Sequence, residues 1–463
     1  MNPVVVNDYI DQHFSEHLSI TQDFVRQPSI SGEGIGMLEM AELVAKHIRM
    51  LGGVAELIPT AGYPVVFGQI DTGAPRTLLV YGMYDVQPVV GEDWLVPPFG
   101  GEIIPFQSFG ECIVSRGIMN SKGPMIGTIN AIDAICKVEG KLPVNIKFIV
   151  EGEEELGSIH LPEAVQKAKQ KLAADGVFFP FYSQDLTGKV VMWLGVKGLV
   201  FMELVVEGGE WGGPTTRDVH GMNSGWFASP AWVLIQALSS MLDQSQQRIL
   251  IDGIYDDVRK PNAEDMDLLR KLMDTFDPNT QRKDYDVVRF KYDLDGADLL
   301  QAYLFEPSLN IDGIGSGHIQ EGMKTILPRE ARAKIDIRLV PSMRPEDVYQ
   351  KVRKHLDNRG FDQVQIRPQT GYLWAKGSVH DPINQAMLKA YTSLGFEPEV
   401  WPLMAGCVPF YAFTDELGMP FTMGGLGHGG RQHSPNEYAT VEGIRLFEKS
   451  VVNFIHNFKE AEK

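Results

Sequence analysis

The sequence predicts an α/β protein with a largely parallel sheet and a second, α+β domain inserted into it. Three observations carry this. Short apolar runs alternate with helix-patterned segments over roughly the first two hundred residues, which is the signature of βαβ units covered on both faces. Near Gly198 the pattern changes to alternating, half-exposed strands. After Asp381-Pro382 the first pattern returns. The predicted division is therefore 1–198 with 375–463 for the first domain and 199–374 for the insertion. A chain of 463 residues is long enough for two such cores.

Taken in order, Ile20 to Ile30 reads as an opening helix and Ile35 to Met50 as a second. Thr77 to Gly82 (TLLVYG) is a short apolar run of the kind found in buried strands, and Asn145 to Val150 (NIKFIV) is another. Between them lies an apolar helix, Pro124 to Val138, with Pro tolerated in its first turn. His160 to Leu172 is helical. In the insertion, Leu199 to Val206 and Ala331 to Val340 are strands. Ser229 to Leu242 is a helix with Ser229 as N-cap, and Arg344 to His355 is opened by Pro345. Asp243 to Leu300 is charged and helical in pattern. Phe421 to Gly425 and a final helix, Thr440 to Asn457, complete the first domain.

Composition excludes several function classes. A net charge of −18 argues against binding nucleic acid, which needs a basic stripe over phosphates, and against an anionic membrane surface. Three cysteines, Cys112, Cys136 and Cys407, make no disulfide framework. The N-terminal MNPVVVNDYIDQHF lacks a basic stretch followed by an apolar core, so no signal peptide is expected. No apolar run approaches the ~18 residues that span a bilayer. A cytoplasmic protein is expected.

In open α/β sheets ligands gather at the carboxyl ends of strands. Met83 and Asp85 follow TLLVYG, Asn120 lies in a glycine-containing loop before a helix, Glu153, Glu154 and Glu155 follow NIKFIV, and His433 follows the last strand. Three adjacent carboxylates repel, which raises the pKa of at least one and suits a general base. Standing alone, the run would also fit an acidic surface turn.

The segments LLVYGMYDVQP (Leu78 to Pro88), RGIMNSKGP (Arg116 to Pro124), FIVEGEEELGS (Phe148 to Ser158) and HSPNE (His433 to Glu437) together resemble the di-zinc aminoacylase and metallopeptidase family of carnosine dipeptidase, acetylornithine deacetylase and glutamate carboxypeptidase. The resemblance spans essentially the whole chain and implies a catalytic domain with an inserted lid or dimerisation domain. It makes Glu154 the general base and Glu155 a metal ligand. The family's five ligands are His, a bridging Asp, Glu, Asp and His, and here they fall on Met83, Asn120, Glu155, Phe181 and His433. A thioether is a poor zinc ligand and a neutral amide cannot bridge two cations. Two ligands of five are kept, fewer than the three protein ligands of a catalytic zinc.

Other family positions are less altered. The resemblance makes His220 in RDVH an oxyanion donor that reaches the partner subunit in a homodimer, and places Asn310 of NIDGI and Arg338 of DIRLVP at the substrate. Arg338 would hold a carboxylate bidentately. The plainer alternatives are a loop histidine and a surface ion pair. The family's Gly-Gly-Ser/Thr loop reads Ala405-Gly406-Cys407 here, so Cys407 is a substrate-loop residue, either a small hydrophobe or a nucleophilic thiol.

These readings lead to the following expectation. The chain is a metal-independent hydrolase or C–N lyase without cofactor, acting on a small carboxylate-bearing amide or amine. Its catalytic residues are Glu154, Glu155, His433, Asp85 and His220, and its substrate contacts are Arg338, Asn310, Asn120, Met83, Phe181 and Cys407. A conventional metal-dependent dipeptidase with a single weak ion is the first alternative. The second is a binding protein on a dead metallopeptidase scaffold.

Overall fold

Asn2 and Pro3 start the chain's first helix. The Asn2 side chain accepts from the Val4 N–H, and proline supplies the φ that a first helical residue needs. That helix runs Pro3–Arg26 and stops before Gln27-Pro28, so it begins well ahead of the expected Ile20. The computed structural model describes residues 2–461 apart from 186, 244–247, 285 and 292–293. It divides into one unit of Met1–Leu194, Gly377–Trp401 and Phe410–Lys463, and a second of Gly195–Lys376 with Pro402–Pro409. The boundaries lie a few residues from the expected ones, and the loop carrying Cys407 goes with the second unit.

The first unit is built on a six-stranded sheet. Its order is Val54–Ile58, Val65–Ile70, Asn145–Glu151, Thr77–Met83, Gly176–Pro180, Phe421–Gly424. The last four strands pair in parallel, while the first two add in antiparallel fashion. Every residue of Thr77–Met83 after Thr77 is buried, which explains its unbroken apolar run. The two antiparallel strands had no sequence expectation. Helices Pro3–Arg26, Lys122–Glu139 and Val441–Glu460 pack on one another, and Met37–Met50 packs on the antiparallel strands.

A small sheet in the same unit matters more for function. It joins Gly429–Gly430, Tyr438–Thr440, Glu111–Val114 and Glu102–Pro105. Pairing of Tyr438 with Val114 places the loop around His433 beside the loop that follows Val114.

The second unit centres on four antiparallel strands, in the order Ser308–Ser316, Glu330–Leu339, Gly198–Glu207, Val364–Tyr372. Helices Pro230–Met241 and Pro345–Asn358 pack against it over a core that includes Met202, Leu234, Ile335, Ile337 and Val352. Ser229 occupies the N-cap position with extended backbone, but its side chain makes no capping bond. The charged elaboration contains Ala263–Met273, opened by a reciprocal Asn262–Asp265 capping box, together with Pro278–Asp284 and Gly296–Phe305. Among the described residues no helix is long and apolar enough to cross a membrane.

Candidate active site

Strand ends in the first unit bring four segments together. Met83 ends its strand, buried, in register with Glu151 on the neighbouring strand. Two residues on, the buried Asp85 carboxylate accepts from Ser31 Oγ at 2.8 Å and from the backbone N–H groups of Glu154 and Glu155 at 3.2 and 3.0 Å. Asp85 thus holds the turn that presents the glutamates. Burial, and next the Glu155 charge, push its pKa up to about 7.

The three glutamates have separate fates. Glu153 is buried and takes Nδ1 of His160 at 2.7 Å, which makes it structural. Glu154 is half-buried as a residue. Its carboxyl is nonetheless held well above the ordinary range, by removal from water first and then by Glu155, Asp85 and Glu151. A carboxyl so placed holds a proton more readily than an ordinary glutamate, which suits a general base.

Glu155 is the hub of a hydrogen-bonded cluster. It accepts from Gln87 Nε2 at 2.7 Å and from Asn120 Nδ2 at 3.0 Å, and lies 3.2 Å from His433 Nε2. Asn120 Nδ2 is itself 3.2 Å from the same histidine nitrogen. The hydrogen bond to Glu155, more than any other effect, raises the pKa of His433. Phe181, by contrast, belongs to an aromatic group, edge-on to Trp193 with ring centroids 6.0 Å apart.

A frame around this cluster had no expectation attached to it. The Glu437 carboxylate is buried and accepts from the backbone N–H groups of Gly117, Met119 and Asn120 at 2.8 to 3.0 Å and from Arg116 at 3.1 Å. One carboxylate, four residues past His433, therefore shapes the loop that carries Asn120. Its place in HSPNE, beside His433 and within reach of a buried arginine, was the available signal.

In the second unit, Arg338 Nε donates to Asp336 at 2.8 Å and its Nη1 to Cys407 Sγ at 3.1 Å. The Cys407 thiol in turn donates to the Gly198 carbonyl at 3.3 Å. Burial raises the thiol's pKa despite the nearby guanidinium, so it remains an S–H donor rather than a thiolate. His220 is exposed, accepting from the Met222 N–H at 3.1 Å and lying 3.2 Å from Thr325 Oγ1. Asn310 is exposed and donates to Asp312 at 2.8 Å.

Residues 79–457 match the model of peptidase family M20/M25/M40. The chain belongs to that family. It is 28% identical over 476 residues to the Beta-Ala-His dipeptidase of Mus musculus, covering 95% of this chain and 93% of that one. To the Cys-Gly metallodipeptidase DUG1 of Candida albicans it is 27% identical, covering 98% and 97%. Among solved structures, the M20 family metallo-carboxypeptidase Sso-CP2 of Sulfolobus solfataricus superposes with a TM-score of 0.89 at 32% identity, covering 96% and 99%. The di-peptidase Dug1p of Saccharomyces cerevisiae gives 0.86 at 25%, covering 100% and 99%.

These relatives overturn the expectation of a metal-independent hydrolase or lyase. The expectation equated altered donors with altered chemistry, whereas relatives along the whole length are metallopeptidases of C–N peptide bonds. The donor set still limits what this chain can hold. Among the described residues, no three His, Cys, Asp or Glu side chains are grouped to share an ion. Met83 and Phe181 offer no oxygen or nitrogen, so the residues do not fit a two-ion centre. Glu155 and His433 present two ligand atoms 3.2 Å apart, and the Asn120 amide lies against both through its Nδ2, so that turning its Oδ1 inward would complete a three-residue set for one ion.

Proposed function

We propose that this chain is a metal-dependent dipeptidase that hydrolyses the peptide bond of a small substrate bearing a free carboxylate. What carries the reading is Glu154, whose carboxyl sits above the ordinary range beside Glu155 at the strand ends of a dipeptidase-family sheet. Glu154 takes a proton from the attacking water and returns it to the leaving amine. Glu155, His433 and Asn120 would hold a single divalent ion, which supplies Lewis acidity toward the scissile carbonyl. Asp85 positions Glu154 and Glu155 by binding both backbone N–H groups. Arg338 is the proposed anchor for the substrate carboxylate, with Nε already oriented by Asp336.

The reading extends to a homodimer formed through the second unit and to a cytoplasmic location. The first draws support from exposed Trp226, Trp232, Ile314 and Met323 on that unit, the second from three unpaired cysteines. A monomer by sedimentation at micromolar concentration would reject the dimer.

The deciding assay presents β-Ala-His and Cys-Gly to protein stripped by chelator and then titrated with zinc, manganese or cobalt. Cleavage that rises with ion and saturates at one ion per chain is expected. Absence of cleavage of either dipeptide with every ion, or saturation at two ions per chain, overturns the reading.

A further inference from the structure

The second unit carries an open pocket of about 740 Å³, well within the ~300–1,000 Å³ that holds drug-sized ligands and far more than one carboxylate requires. Two of its lining residues come from one end of the four-stranded sheet. Lys197 immediately precedes the Gly198–Glu207 strand, and Arg338 lies in register between Leu199 and Ser308. Lys197 is buried, 3% exposed, with its ammonium donating to the Glu306 carbonyl at 2.8 Å.

Further lining comes from the segment after Pro230–Met241. Arg248 stands over the Tyr255 ring at 4.8 Å, and the Tyr255 hydroxyl accepts from the Ile249 N–H at 3.1 Å. Phe290 and Leu309 add apolar wall. Four basic residues (Lys197, Arg248, Lys291, Arg338) line the cavity against two acidic ones (Asp298, Glu306), in a chain whose net charge is −18. A local cationic excess inside an acidic protein concentrates anions. Guanidinium groups, one of them already braced on an aromatic face, are suited to planar carboxylates.

We propose that this cavity binds an organic dicarboxylate with an aromatic or apolar body, one carboxylate at Arg338 and Lys197 and the other at Arg248. The inference rests on the dipeptidase reading only in so far as the ligand is the substrate; binding itself does not require turnover. It implies a preference for substrates ending in an acidic residue.

The test is calorimetric titration of the intact protein with N-benzoyl-glutamate and with N-benzoyl-glutamine, which differ in one charge at nearly constant shape. The glutamate compound should bind ~10-fold or more tightly than its amide, and the difference should shrink with added salt. Arg248→Ala, an exposed position outside the core, should remove most of that difference while leaving the amide's affinity unchanged. Equal affinity for the two compounds, an unaltered ratio in Arg248→Ala, or no heat from either at millimolar concentration overturns the proposal. Because binding is read without cleavage, a protein inactive on dipeptides can still pass. A protein without charge selectivity can still be a dipeptidase.

Discussion

Asn120→Asp tests the single-ion site most directly. The Asn120 amide now donates to Glu155 Oε1 at 3.0 Å. Aspartate exchanges that donor for a second carboxylate. At 3.0 Å, and with an effective dielectric of about 20, two unit charges repel by about 5.5 kcal/mol. Water reaches the site through His433, whose side chain is 53% exposed, so the surviving repulsion is nearer ~2 kcal/mol. Loss of a hydrogen bond to a charged acceptor adds ~1.5–3 kcal/mol. In chelator at pH 8 the variant should therefore be ~3–5 kcal/mol less stable, a fall in Tm on the order of 10 °C. The deficit should shrink on acidification, because one carboxyl takes up a proton. With zinc the same carboxylate becomes a ligand, and saturation to 100 times Kd returns ~2.7 kcal/mol. Thermal unfolding of both proteins, in chelator and across a zinc titration, measures all of this without an activity assay. An Asn120→Asp protein as stable as wild type in chelator, with a Tm indifferent to zinc, would refute the assignment of Glu155, His433 and residue 120 to one ion.

Glu154→Gln should lower kcat by ~10²–10⁴ with the fold intact, since the nearly isosteric amide keeps packing and loses the base; near-normal turnover would place the base elsewhere. Glu151, buried with one carboxyl oxygen lacking a partner, titrates at about 8 against an ordinary 4.5, burial being the main cause. A raised folded-state pKa gives stability that is full below about 4.5 and lost as pH climbs toward about 8. Glu151→Gln keeps the acceptor used by Tyr81 and Ser158, so it should flatten the stability profile over that window and be the more stable protein at pH 8.5. Identical pH profiles for the two proteins would contradict this. Arg338→Lys should raise KM by ~10-fold and lower kcat less, because lysine keeps the charge without the two-donor fork. A kcat/KM within about threefold of wild type would make Arg338 structural.

Much of the fold was legible because local pattern and burial agree. TLLVYG and NIKFIV are buried on both sides and read as strands from apolar continuity alone. The antiparallel edge strand was not legible: Val54–Ile58 is half exposed, so its composition carries little signal. The first helix was only partly visible, because the exposed Val4 and Val5 beside Val6 blur the helical spacing of the buried Val6, Ile10 and Phe14. At the site, Glu155, Asn120 and His433 could be placed together from the ends of the segments that carry them. Their partners Ser31, Gln87 and Glu437 make contacts set by distant chain, which no local pattern encodes. The three replaced ligands were visible too, but a lost donor does not by itself specify a lost reaction, and the metal-independent expectation failed at that inference.

The Glu437 cradle has a consequence for how such a site changes over time. Its four hydrogen bonds come from the Arg116 side chain and from the backbone N–H groups of Gly117, Met119 and Asn120, so the loop owes its shape to groups that do not include the Asn120 side chain. The vessel is built independently of its contents. Donors inside it can then be exchanged one at a time without collapse of the surrounding backbone. An engineer can use that separation to change the donors by point substitution.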